Sequence, residues 1–320
     1  MKVGKFMLRW LVTLIIMIGI MAGCAAEPKK ESEQIQGNTA FPITVTDAMN
    51  KEVTIEKKPK RIVSLIPSNT EIAYVLGLEN EIVGVSDNDN YPESVNKKEK
   101  VGGMEVNIEK VISLQPDLVL AHASAMGTSK EGLQQLESAG IPVVVVNNAD
   151  NFEDVYKSIQ LIGKATGTSD KAATVIQDMK DKLAGIEEKA KTIEESKRAN
   201  VWIEVSPAPE IYTAAKGTFM NAMLEVIGAK NTASSKEGWV QFTEEEVVKL
   251  NPDVIITTYG YYVPNASEQV MNRPAWKNVT AVKEKKVYDV NSDLVTRPGP
   301  RVIEGVEDLA KAIYPDTFNK

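Results

Sequence analysis

The apolar positions between residues 168 and 196 fall in one stripe. Ala172, Val175, Ile176, Met179, Leu183, Ile186, Ala190 and Ile193 recur at steps of three and four, the spacing that lines one face of a helix. Acidic and basic residues such as Asp170, Lys171, Asp178, Lys180, Glu187 and Lys191 fill the other faces. Ser169 can cap the start, and the one breaker inside is Gly185, tolerated at modest cost. At about 1.5 Å rise per residue the helix is on the order of 40 Å long, roughly a domain's width. Strands and helices alternate on either side of it. The pattern predicts a stiff strut joining two α/β lobes, the alternative being one more packed helix of a single large domain.

Alternating residues around a polar turn at 47–51 predict a hairpin over 41–55. Short apolar runs at 61–66, 81–85, 117–121 and 142–146 are buried strands. Helical patterns cover 68–77, 107–114, 132–139 and 151–165. Ser68 and Glu71 have the spacing of a capping box, and Gly77 that of a stop. After the strut the same grammar returns, with strands at 201–205, 254–257 and 287–290 and helices at 218–227, 243–250 and 300–313. Strands separated by helices imply a mostly parallel sheet covered on both faces. The expected division is a lobe at 41–167, a linking helix at 168–197 and a lobe at 198–320.

Residues 107–121 and 243–257 align without a gap. Glu109 matches Glu245, Val111 matches Val247, Leu114 matches Leu250, and Pro116-Asp117 matches Pro252-Asp253. Each copy reads as cap, helix, Pro-Asp turn and buried strand. One unit used in both lobes suggests a pseudo-symmetric pair. Glu109 and Glu245 fall in the first turn of their helices, where the dipole favours a carboxylate by ~0.3–1 kcal/mol. The alternative is functional: two acidic knobs, one per lobe, that dock into basic pockets of a partner.

Composition narrows the chemistry. The 320 residues carry a net charge of −7, which argues against a nucleic-acid partner. One His and one Cys in the chain exclude a disulfide framework and a Cys or His zinc cage. No P-loop, dinucleotide-binding or nucleophile-elbow motif occurs, and an envelope hydrolase working with paired carboxylates is a minor reading. Neither a cofactor nor a metal is expected.

Residues 1–23 have the form of an export signal: Lys2, Lys5 and Arg9, then a short apolar run from Trp10 to Ile20. Met21-Ala22-Gly23-Cys24 resembles the lipobox of bacterial lipoproteins, which makes Cys24 the lipid-bearing first residue of the mature chain. A polar stretch to residue 40 reads as a flexible tether. The expected location is the outer face of the cell membrane, held there by the lipid.

The run Arg61-Ile-Val-Ser-Leu-Ile-Pro-Ser-Asn-Thr-Glu71, Val-Gly-Val-Ser at 83–86, Tyr91-Pro92 and the two Pro-Asp repeats resemble the substrate-binding proteins of ABC importers for cobalamin, haem and ferric siderophores. The resemblance covers about residues 41 to 316. It implies two α/β lobes on one long helix, a ligand cleft between them, and a Glu on each lobe, here Glu109 and Glu245, that engages Arg pockets of the permease. It also implies a non-enzymatic monomer partnered by permease and ATPase subunits.

Cobalamin receptors are the most similar branch. Ser292-Asp293, Arg297 and Pro300-Arg301 resemble their cleft segment. Trp239 and Tyr212 match pocket aromatics. Asn88 and the 102–103 region stand where those receptors carry a Tyr and a Trp, and His122 where they carry another Trp. The expected ligand-binding set is therefore Asn88, His122, Tyr212, Trp239, Asp293 and Arg297, with cobalamin as cargo and a ferric siderophore or haem as the alternative. Tyr259, Tyr261 and Tyr262 could stack on a flat ligand or belong to the core. His122 is either a pocket wall or metal ligand, or a strand-end residue with a satisfied hydrogen bond. Arg297 either contacts ligand or pairs with Asp293.

Overall fold

The computed structural model describes residues 40–319. The expected export segment, Cys24 and all but the last residue of the tether lie outside the described residues. β1 (Ile43–Thr46) and β2 (Glu52–Ile55) form the antiparallel hairpin, with Ile43 opposite Ile55. β3 (Ile62–Ser64), α1 (Pro67–Val75), β4 (Ile82–Val85), β5 (Glu99–Lys100), α2 (Ile108–Ser113), β6 (Leu118–His122), α3 (Lys130–Ser138), β7 (Val143–Val146) and α4 (Phe152–Thr166) follow. Their strands form one sheet in the order β5-β4-β3-β6-β7, with every pair parallel.

Beyond α5 (Ser169–Lys191) come β8 (Asn200–Glu204), β9 (Ile211–Ala214), α6 (Phe219–Val226), β10 (Lys230–Asn231), β11 (Trp239–Phe242), α7 (Glu244–Leu250), β12 (Val254–Thr257), α8 (Ala266–Met271), α9 (Thr280–Lys283), β13 (Val287–Asp289), α10 (Ser292–Thr296), α11 (Val302–Ile313) and α12 (Pro315–Phe318). A second parallel sheet has the order β10-β8-β12-β13. β9 and β11 pair apart from it as an antiparallel ribbon. That ribbon has no counterpart in the sequence reading, because each strand is only four residues long.

The strands are apolar because both faces are covered: all four valines of β7 and all of β12 are buried. The stripe of α5 is buried as its spacing requires, from Ala172 to Ala190, with Ile193 just beyond. It packs on α4 of the first lobe and on α6, α11 and α12 of the second. One apolar cluster runs from Ile62 and Leu118 through Met179 and Leu183 to Val201 and Ile256. The helix is therefore not a bare strut but the middle of a core shared by both lobes.

Two cap readings are corrected. α5 begins at Ser169 with Thr168 in the cap position and no side-chain cap; the Thr168 hydroxyl instead lies 2.9 Å from that of Thr166. The helix ends at Lys191, short of residue 196. There the Thr192 hydroxyl takes the Lys189 carbonyl at 2.7 Å and the Ile193 amide closes on Ala190 at 3.0 Å, tightening the last turn. α1 has no capping box. It starts on Pro67, preset for the first helical position, so Ser68 and Glu71 both fall inside it and are buried.

The internal repeat is real geometry. Asn107 and Thr243 cap α2 and α7 by accepting the amides of Lys110 and Glu246. Gln115 and Asn251, each just before the Pro, both take left-handed φ, 47° and 44°. Asp117 accepts the amides of Lys60 and Arg61 at 2.9 Å, and Asp253 that of Asn200 at 2.8 Å. In each lobe the Asp thus clamps the entrance of the neighbouring strand.

At the α4–α5 contact a Cβ on Gly163 would stand 2.6 Å from that of Ala172, while one on Gly185 meets nothing within 4 Å. Gly163→Val should therefore cost about 1–3 kcal/mol through overpacking, whereas Gly185→Ala should add about 0.5–1 kcal/mol. Urea denaturation of both variants measures the two signs.

Candidate functional site

Loops leaving the carboxyl ends of parallel strands share one edge of a sheet, the edge where open α/β folds bind ligands. Here the two edges meet. Asn90, after β4, donates through Nδ2 to Asp293 Oδ2 at 2.9 Å. Arg297, just past α10, donates from Nη1 to Asn90 Oδ1 at 2.7 Å and from Nη2 toward the Asn88 carbonyl at 3.4 Å. Its Nη2 also lies 2.8 Å from Asp293 Oδ1.

The anchor of this junction is Glu71 on α1, 4% exposed. Arg301 grips it with two parallel bonds, Nε to Oε2 at 2.9 Å and Nη2 to Oε1 at 2.6 Å, and Arg297 Nη1 adds a third at 3.4 Å. A buried carboxylate demands such pairing, and the guanidinium fork supplies it in a fixed geometry that Lys cannot. Burial alone would lower the Arg301 pKa, but Glu71 more than offsets this and holds it above the usual value. The Arg301 guanidinium also lies 3.7 Å over the Tyr91 ring, a cation–π contact. A cavity of about 560 Å³, lined among others by Tyr91, Met179, Arg301 and Glu304, opens on the α5 side of the pair.

Three residues expected from the sequence are therefore drawn together: Asn88, Asp293 and Arg297. The Asp293–Arg297 pairing holds. Arg301, expected as part of the cleft segment, joins them, and Glu71 was missed as a site residue. Glu71 was hidden by its resemblance to a cap; the usable signal was a Glu set among Ile72 and Ala73 on the buried side of α1.

Tyr212 and Trp239 lie on the β9–β11 ribbon. Tyr212 is opposite Gln241, and Trp239 is two residues from Gln241, so both side chains share one face. They are 38% and 58% exposed. After β12, Tyr261 and Tyr262 are exposed and pack edge to face at 4.8 Å. Tyr259 is different. It is buried and donates to Glu204 Oε1 at 2.5 Å; burial and that carboxylate push its ionisation far above the ordinary range. Arg273 completes this knot with bonds of 2.9 and 2.6 Å to Glu204. The tyrosine cluster thus splits into one core residue, which ties the β8 and β12 ends together, and two exposed ones.

His122 ends β6 at 6% exposure. Its Nδ1 accepts the Ser124 amide at 3.2 Å and lies 2.9 Å from the Ser124 hydroxyl. Burial lowers its pKa, only partly opposed by a hydrogen bond to the Asn147 backbone. The ring is a satisfied strand-end group in this geometry. Glu109 and Glu245 are both exposed, each second in its helix. Among the described residues no group of three or more His, Cys, Asp or Glu could hold a metal ion, and no helix is long and apolar enough to cross a membrane.

Removing Glu71 leaves the part-buried Arg301 guanidinium without a carboxylate, while Arg297 keeps Asp293. Glu71→Ala should lose about 3 kcal/mol, and Glu71→Ala with Arg301→Met should recover part of that loss in a denaturation cycle. His122, as the only His, gives one imidazole resonance. It should titrate below 6.5 in the folded chain. A base held neutral in this way supports the fold fully above pH 6.5, and that support falls as pH drops toward its folded value.

The sequence matches the periplasmic binding protein family model (Peripla_BP_2) over residues 62–294. It is 54% identical over 312 residues to the uncharacterized ABC transporter substrate-binding lipoprotein YvrC of Bacillus subtilis, covering 97% of this chain and 98% of that one. It is 30% identical over 324 residues to a cobalamin-binding protein of Halobacterium salinarum, covering 98% and 86%. Among solved structures, a possible iron-binding periplasmic solute-binding protein of Staphylococcus epidermidis aligns with a TM-score of 0.74 and 38% identity, over 81% of this chain and all of that one. With its two parallel-sheet lobes on one long helix, the chain belongs to the periplasmic binding protein family, which serves transport by binding and not by catalysis.

Proposed function

We propose that this chain is the extracytoplasmic receptor of an ABC importer, lipid-anchored through Cys24, that captures a corrinoid and hands it to the permease as a monomer. The lobes are residues 41–167 and 198–320, joined by 168–197. The observation that carries the reading is the facing of the two strand-end edges. Tyr212, Trp239, Tyr261 and Tyr262 are exposed on the second lobe, Asn88 and Asn90 lie on the first-lobe edge that meets it, and the Glu71–Arg301 junction ties the two lobes together. Flat apolar ligands gain most from exposed ring faces. The cobalamin-binding relative supports this cargo. The iron-binding description of the Staphylococcus structure supports a ferric siderophore or haem as the second reading. His122, buried at the end of β6 with its Nδ1 engaged by Ser124, backs the first-lobe edge of the crevice. Glu109 and Glu245, exposed on matching helices of the two lobes, are the knobs that dock into basic pockets of the permease, and ATPase subunits drive delivery.

Of the described tryptophans, Trp202 and Trp276 are buried and Trp239 is exposed. Micromolar cyanocobalamin should quench the fluorescence of the chain lacking its lipid, and Trp239→Phe should remove most of the change. Glu109→Ala with Glu245→Ala should leave that titration unaltered while abolishing cobalamin uptake in cells. No quenching by any corrinoid rejects the cargo.

A further inference from the structure

Resting on that reading, we infer that the crevice selects its cargo by charge: it takes neutral or cationic ligands and rejects polyanions. The loops that leave the first-lobe strands, 86–91, 101–106, 122–129 and 147–149, contain no Lys or Arg. They do contain Asp87 and Glu105, both exposed. Asp87 Oδ1 accepts the Gly102 amide at 3.3 Å, which sets this carboxylate over the 102–103 turn. Lys100, on β5, is committed to the carbonyls of Asp89 and Ser86 at 2.6 and 3.2 Å, and the exposed Lys130 opens α3 just beyond the 122–129 loop.

On the second lobe the loops 205–210 and 258–265 also lack Lys and Arg. The segment 290–301 has two cations, and both are spent. Arg301 is forked onto Glu71, and Arg297 is shared among Asp293, Asn90 and Glu71. Lys216 and Lys236 are exposed at the end of the ribbon, where the Lys216 backbone bridges to Glu237 and Lys236 lies near Glu246, away from the junction of the two edges. His122 is held toward its neutral form by burial.

An anionic ligand at the junction of the two edges would therefore meet Asp87, Glu105 and Asp293, while the cations at that junction, Arg297, Arg301 and Lys100, are already committed. Burying an unpaired charge is costly, and like charges repel across a crevice more strongly than in open water. What the first lobe does offer is side-chain amide: Asn88, Asn90, Asn147 and Asn148 follow β4 and β7. Amides donate to and accept from neutral groups. The class of cargo is thus a flat body whose apolar face meets the second-lobe rings and whose rim carries amides, hydroxyls or a positive charge.

The test uses pairs that differ in charge on one scaffold. Equilibrium binding is measured at low salt for cyanocobalamin against its tricarboxylic acid, and for hemin dimethyl ester against hemin. Ferrioxamine B against ferric enterobactin adds a siderophore pair of opposite charge. In every pair that binds, the uncharged or cationic member should bind at least tenfold tighter, and added salt should narrow the gap. Asp87→Asn with Glu105→Gln, both exposed and outside the core, should narrow it as well. An anionic member binding equally or more tightly overturns the inference, even if cyanocobalamin remains the best ligand. The same order seen only within the siderophore or haem pair keeps the charge rule and replaces the corrinoid cargo.

Discussion

A carboxylate taken out of water on α1 must be met by positive charge, and the guanidinium groups that meet Glu71 belong to the other lobe. This one requirement fixes much else. Arg301 must arrive in a plane that lets both nitrogens bond, which sets the path of the chain from α10 to α11. Gly299, buried on this segment, lies so near α1 that a Cβ there would stand 3.6 Å from the Ser68 carbonyl oxygen. Arg297, brought along on the same segment, then ties down the loop after β4 through Asn90. The relative orientation of the two sheet edges follows from a handful of charge-assisted bonds.

Behind that junction lies a second constraint of a different kind. The apolar cluster is continuous from the first sheet through α5 into the second lobe. Wide separation of the lobes would expose side chains such as Met179, Leu183 and Ile256 to water, which the hydrophobic effect opposes. A packed helix at the back and an ionic fork at the junction leave small rocking motions as the natural response to a ligand. The carboxylates proposed to dock, each set near the start of a short capped helix on its own lobe, change their spacing only by that small rocking.

The fold was largely legible in the sequence because its signals are local. The stripe of α5, the valine runs and the repeated Pro-Asp turn each depend on neighbours in the chain, and the structure reproduces them. Glu71 was not legible, because Ser-x-x-Glu spells a cap unless Pro67 is seen to start the helix one residue earlier. The knot of Glu204, Tyr259 and Arg273 was not legible either. Its members are separated by up to 69 positions, and only β8–β12 pairing brings them together. Asn88, Asp293 and Arg297 were reached through family resemblance, and the structure gives the reason they belong together: each lies just beyond a strand end or on the segment that Glu71 holds.

The β9–β11 ribbon has a different consequence. It carries Tyr212 and Trp239 outside the parallel ladder of β10, β8, β12 and β13. Substitutions on its outward face leave the main sheet's register untouched. In the proposed receptor, selection for a new nutrient can therefore rewrite the ribbon's aromatics residue by residue while the carboxylate fork, the shared core and the paired acidic helices stay as they are. On that proposal the molecule separates what it must keep in order to fold from what it is free to change in order to recognise.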